Sequence, residues 1–277
     1  ELAAPCAKFL GTAIPGASHI NHMPSHTWNE MGLWEEAVRA NTIAWHSDQK
    51  AAIGRGVAIY PTHNLTMLYY AAAMGGASAS SIQASKDLAK LNGNSAMHAM
   101  SLVRFGRYDE VLALDNEPNG DVNRSMYLFS QGYAALKQGD GDRASAVLTV
   151  LLDLTEMTTA RFRFHDGKNI IGALAGILEG QIKWDDGNIE GAAEEFRGAT
   201  RYYDSLHYDE PEPLPSSPRH LLGAADLALG ASDAAPLKLE LAMDDNPNNV
   251  WSLHGPTTAM QNLGSDTKQI ETANNNP

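Results

Sequence analysis

Six glycines set the architecture of this chain. Gly32, Gly76, Gly106, Gly139, Gly187 and Gly230 each follow a helix-favouring stretch and precede a second one. Their separations are 44, 30, 33, 48 and 43 residues. The clearest copy is Met31-Gly-Leu-Trp-Glu-Glu-Ala37. Phe105-Gly-Arg-Tyr-Asp-Glu-Val111, Gln138-Gly-Asp-Gly-Asp-Arg-Ala144 and Asp186-Gly-Asn-Ile-Glu-Gly-Ala192 repeat it, and Met74-Gly-Gly-Ala-Ser78 and Leu229-Gly-Ala-Ser-Asp-Ala-Ala235 are looser copies. A glycine there can take the left-handed conformation that ends a helix. The alanine that closes most copies lets two helices approach closely. Self-similarity at such a period predicts an array in which each helix pair covers the apolar face of the last. Long alternating runs of β-branched residues are missing, so the expected class is all-α.

The motifs resemble the tetratricopeptide-repeat (TPR) family. Gly132, Tyr133, Gly139 and Ala144 carry the resemblance in one unit, and Gly180, Gly187, Ile189, Ala192 and Ala199 in another. It runs from about residue 17 to 246, with looser spacing than the family's. It implies a right-handed superhelical solenoid of about six to seven helix pairs, forming one domain over 1–277. Residues 1–16 would be a shortened N-terminal helix and 268–277 a disordered tail. Two connectors are longer: the polar stretch 115–121, and the acidic, Pro-rich 208–218, expected to be extended.

Three histidines, His19, His22 and His26, fall within eight residues, and His63 opens a later helix in Tyr60-Pro-Thr-His-Asn64. Imidazole is the commonest protein ligand for transition metals. At 100° per residue the first three lie within an arc of about 60° on one helix. His19 and His26 would stand about 10 Å apart on a straight helix, so one ion takes all three only if Pro24 bends the chain. Alternatively, a helix starts near Pro24 and His19 and His22 lie in the loop before it. His22 and His26 joined by His63 form the core of the expected site. His19 would be a further ligand, and Asn29, Glu30, Asp48 and Asn64 auxiliary or outer partners.

In TPR arrays the first helix of each pair lines a concave groove. The resemblance therefore implies that all four histidines face one groove, with His220 on the groove side of a later unit. His22-Met-Pro-Ser-His26, Tyr60-Pro-Thr-His-Asn64 and Arg104–Val111 also resemble a group of bacterial TPR-like proteins. That group implies a fold and a histidine cluster but no reaction, and its members generally carry a further His-containing helix pair upstream. Because the chain starts at Glu1, the expectation is that this pair is missing or shortened.

Two functions follow. One is a site for a divalent transition metal (Zn, Fe, Cu or Ni), which with an open position could serve a metal-dependent enzyme. The other is a metal-free scaffold that binds a peptide or partner protein in the groove. The only cysteine, Cys6, permits no internal disulfide and no Cys-rich zinc site. A net charge of −13 argues against nucleic acid and anionic membranes. No apolar run spans a membrane, and no signal-peptide pattern begins the chain, so a soluble protein is expected, cytoplasmic or exported. The His-Glu-x-x-His, Gly-rich phosphate-loop and Ser or Cys nucleophile motifs are absent. His98 is expected in the core, and Tyr69, Tyr70, Tyr202 and Tyr203 in helix packing. Arg161, Arg163 and His165 are expected to form a solvated basic face.

Overall fold

A computed structural model describes residues 2–54, 58–230 and 246–251. These are mostly helical and fall into two compact units. The first comprises the described residues of 2–119 with Tyr208–Pro215, and the second those of 120–207 and 216–251.

In the first unit the helices are α1 (Ala4–Ala13), α2 (Ser18–His22), α3 (Pro24–Glu30), α4 (Trp34–Ala52), α5 (Pro61–Met74), α6 (Ser78–Asn92), α7 (Ala96–Arg104) and α8 (Tyr108–Leu112). The second holds α9 (Asp121–Lys137), α10 (Gly141–Met157), a hairpin of β1 (Arg161–Phe162) and β2 (His165–Asp166), α11 (Gly167–Asp185), α12 (Ile189–Asp204) and α13 (Arg219–Ala228).

All six turn glycines have positive φ, from 66° to 87°. After five of them the next residue donates its N–H to the carbonyl five residues back. The bonds are Leu33 to Trp28 (2.8 Å), Ala77 to Ala72 (2.8 Å), Arg107 to Leu102 (2.9 Å), Asp140 to Ala135 (2.9 Å) and Asn188 to Lys183 (2.9 Å). This is the Schellman motif, which satisfies orphan carbonyls and reverses the chain. The next helix begins two residues after each of these glycines, so a common local geometry produces each helix pair. Most of the sixth copy, 231–235, and the tail 268–277 lie outside the described residues.

Packing within each unit follows the pairing. Helix α3 packs on α4, α4 on α5, α5 on α6 and α6 on α7; in the second unit α9 packs on α10, α10 on α11, α11 on α12 and α12 on α13. The repeat alanines Ala37, Ala144 and Ala192 are fully buried. In the first unit Trp28, Trp34, Leu65, Tyr69, Tyr70 and Met74 belong to one cluster, which fills the space between α3, α4 and α5. In the second, Phe196 lies against Gly180, whose added Cβ would stand 2.3 Å from the ring.

The hairpin corrects one expectation. His165 is completely buried and its Nδ1 accepts the backbone N–H of His207 at 3.3 Å, so it is no part of a solvated basic face. Arg161 reaches Asp166 at 3.3 Å, and Arg163 lies over the Phe162 ring. The chain turns at Arg163 and Phe164, so that Phe162 pairs with the buried His165. His98 is half-buried with its Nδ1 3.2 Å from Ser85 Oγ, and burial lowers its pKa, as a structural histidine requires.

Gly180→Ala should destabilise the second unit by about 1–3 kcal/mol, because the fully buried Phe196 ring cannot move aside without strain. Gly198→Ala, whose Cβ meets only the end of Arg201 at 3.5 Å, is the control and should be neutral or stabilising in urea denaturation.

Candidate metal centre

The histidine segment is one helical run interrupted once. Proline has no N–H to offer the preceding turn. Helix α2 therefore closes with Met23 N–H donating to the His19 carbonyl (3.1 Å), and α3 starts afresh with Pro24 in its first turn. Met23 keeps helical torsions (φ −51°, ψ −34°), so α3 follows directly from α2. Both alternatives read from the sequence are thus partly realised. A helix does start at Pro24, but His19 and His22 lie on a short helix of their own, not in a loop.

His63 arrives on α5. Its entry is fixed by Tyr60 in the left-handed region (φ 56°), followed by Pro61 in the first turn. The fully buried Asn64 donates to Asp48 Oδ2 (2.8 Å) and to the Ile59 carbonyl (3.3 Å). Ile59 N–H in turn donates to Ser18 Oγ at 3.2 Å. Asn64 and Asp48 thus hold the start of α5 against α4 and α2, and so position His63.

The rings converge. His22 lies 4.7 Å from both His26 and His63 between centroids, and His26 lies 5.7 Å from His63. One ligand nitrogen from each of the three lies within 4.8 Å of the others, so the group could hold a metal ion. His19 stands beside them: its ring stacks on His22 at 5.4 Å, lies 6.4 Å from His63 and meets the edge of Tyr60 at 5.1 Å. Buried His19 Nδ1 and Asn29 Oδ1 make no hydrogen bond among the described residues. Glu30 accepts from Tyr208 Oη at 3.4 Å. His220 lies on α13, in the second unit, and is not a member of the three-histidine group.

The hydrogen bonds around His22 fix its tautomer. Asn41, fully buried on α4, donates its amide to the Ala37 carbonyl at 2.9 Å. Its Oδ1 is thereby an acceptor and takes the Nδ1–H of His22 at 2.7 Å, with Ser25 Oγ at 3.4 Å. The proton sits on Nδ1, and Nε2 carries a bare lone pair. That lone pair faces His26 Nε2 at 2.9 Å. Two nitrogen lone pairs this close repel, and an electrophile between them relieves the repulsion: a proton on His26 or a cation. Two nitrogens on one tetrahedral ion, each about 2.0–2.1 Å from it, stand about 3.3 Å apart. The observed 2.9 Å is the length of a hydrogen bond, and the two rings would part by about 0.4 Å to share an ion.

Electrostatics favours neutral imidazole at the centre. Burial pushes the His22 pKa down to about 3, opposed by the Asn41 hydrogen bond and reinforced by the three neighbouring histidines. A neutral imidazole is the form that binds metal. Behind His26, its Nδ1 pairs with the carboxylate of Glu210. That contact holds the Glu210 carboxyl below the usual carboxylate range against the opposing effect of burial, and Tyr208 helps.

Sequence reasoning missed Asn41 and Glu210. Asn41 carried a usable signal: an asparagine four residues after Ala37 and three before Ala44 sits on a buried helical face, where it needs a polar partner. Glu210 carried none beyond membership of an acidic connector; the segment's Tyr208 meets Glu30 across 178 residues of chain. The chain matches no known protein-family model and no curated protein.

In the metal-free protein, nitrogen NMR of labelled histidine should show His22 as the Nδ1–H tautomer, and an Nε2–H assignment would contradict the Asn41 bond. Asn41→Ala should cost about 1–3 kcal/mol in chemical denaturation, because it strands a buried N–H.

Proposed function

We propose that the protein is a TPR-like helical-repeat protein whose function centres on a divalent transition metal bound by His22, His26 and His63. The observation that carries this is the convergence of three imidazoles from α2, α3 and α5, with the central one locked by Asn41 so that its lone pair points inward. Nitrogen donors without thiolate suit Zn, Fe, Cu or Ni. Three protein nitrogens leave positions for water or a substrate oxygen, and a metal there makes bound water acidic and polarises a bound carbonyl or phosphoryl group. Metal-assisted hydrolysis or oxidation is the chemistry such a centre supplies. His19 stays beside the ligand set and packs it, with Tyr60, from the outside.

Elemental analysis of protein purified without chelators should find about one divalent ion per chain. His22→Ala, His26→Ala and His63→Ala should each lower occupancy at least tenfold while keeping helical circular dichroism, whereas His19→Ala should retain most of it, given the 10–100-fold losses typical even of outer partners. Metal-free wild-type protein after reconstitution with Zn, Fe, Cu and Ni would overturn the reading and leave the groove-binding scaffold in its place.

A further inference from the structure

The Pro-rich stretch expected to be a connector returns to the histidines. Tyr208–Pro215 belongs to the first unit although the residues on either side of it belong to the second. It is seated by side chains at several points. Leu214 is 1% exposed, and Pro211, Pro213 and Pro215 are buried. Tyr70 Oη donates to Glu212 at 3.2 Å, and Tyr208 Oη reaches Glu30 at 3.4 Å. Between these anchors Glu210 pairs with His26 Nδ1 and also accepts from Tyr208 Oη.

Glu210 stands at His26 as Asn41 stands at His22, on the Nδ1 side of the ring. A carboxylate beside Nδ1 favours the ring proton there, which would leave Nε2, facing His22 Nε2, free to bind a metal ion. A carboxylate behind a ligand histidine also raises the ring's basicity. In addition, three neutral imidazoles leave a bound divalent ion's charge uncompensated, and Glu210 brings a negative charge one ring away.

We infer that Glu210 is the outer-sphere partner of the metal centre, and that Tyr208–Pro215 is a strap whose seating and metal binding strengthen each other. This rests on the metal reading above. The coupling must run both ways: if the seated strap tightens the ion, the ion tightens the strap by the same factor. Prolines suit the role, because a chain already confined to extended conformations loses little freedom on seating. Glu210 acts through His26 and is a positioning residue.

The test uses the full chain and Zn as the probe. Zn affinity is measured by competition with a chromophoric chelator, and hydrogen exchange is followed in peptides covering 208–215. Wild-type protein should bind one Zn and show slowed exchange in the strap when it does. Glu210→Gln, which keeps the shape and loses the charge, should bind Zn about 10–100-fold more weakly at the same stoichiometry. At Zn saturation its strap should gain less protection than the wild type's. Glu36→Gln, an acidic change on α4 away from the histidines, should shift affinity less than twofold. Equal affinity in wild type and Glu210→Gln, or strap exchange that ignores Zn in the wild type, would overturn this inference and leave the metal site standing. No Zn binding by the wild type would overturn the metal reading itself, and the inference with it.

Discussion

One hydrogen bond decides the character of the histidine cluster. Asn41 turns its Oδ1 toward His22, because its amide N–H is engaged by the Ala37 carbonyl, and that oxygen accepts from His22 Nδ1 at 2.7 Å. Without that bond His22 could place its proton on either nitrogen and could itself donate to His26 Nε2; the bond leaves His22 Nε2 as an acceptor for a proton on His26 or for a cation. With it, a fully buried imidazole presents a lone pair to the place where its neighbours also point. Burial of His22 favours its neutral form and outweighs the opposing effect of the Asn41 bond.

The repeat supplies this geometry from ordinary parts. A positive-φ glycine ends α3 at Gly32 and another ends α5 at Gly76, and each reverses the chain into a second helix. The packing of α2 and α3 on α4, and of α4 on α5, then brings one helix's Asn41 and the next pair's His63 to the same residue, His22. Pro24 adds the single irregularity. By removing one backbone donor it divides α2 from α3 between His22 and His26, which lie i, i+4 across the break and meet at 2.9 Å.

Much of this was legible in the chain. All six turn glycines have the backbone sign that the repeat requires, and the repeat alanines are buried at the helix contacts. His22 and His26 stand i, i+4 on one helical run, as their spacing indicates, and His63 reaches them through the packing of α5 on α4 and α2. What escaped was non-local. Glu210 reaches His26 through a segment with no periodicity, seated by proline and leucine burial that only the tertiary structure defines. Asn41 was readable in principle as a polar residue on a buried stripe. His165 was misjudged because two flanking arginines suggested a solvated face, whereas the hairpin turns its ring inward. Asp48 and Asn64, expected near the metal, hold each other and the start of α5.

The central claim is that His22, His26 and His63 ligate one metal ion. Anomalous diffraction at the Zn edge from crystals of the Zn-loaded full chain tests it most directly. The account predicts one strong peak about 2.0–2.1 Å from Nε2 of His22, Nε2 of His26 and a ring nitrogen of His63. Zn bound elsewhere on the chain, or these three rings in ordered density with no peak among them, would contradict it.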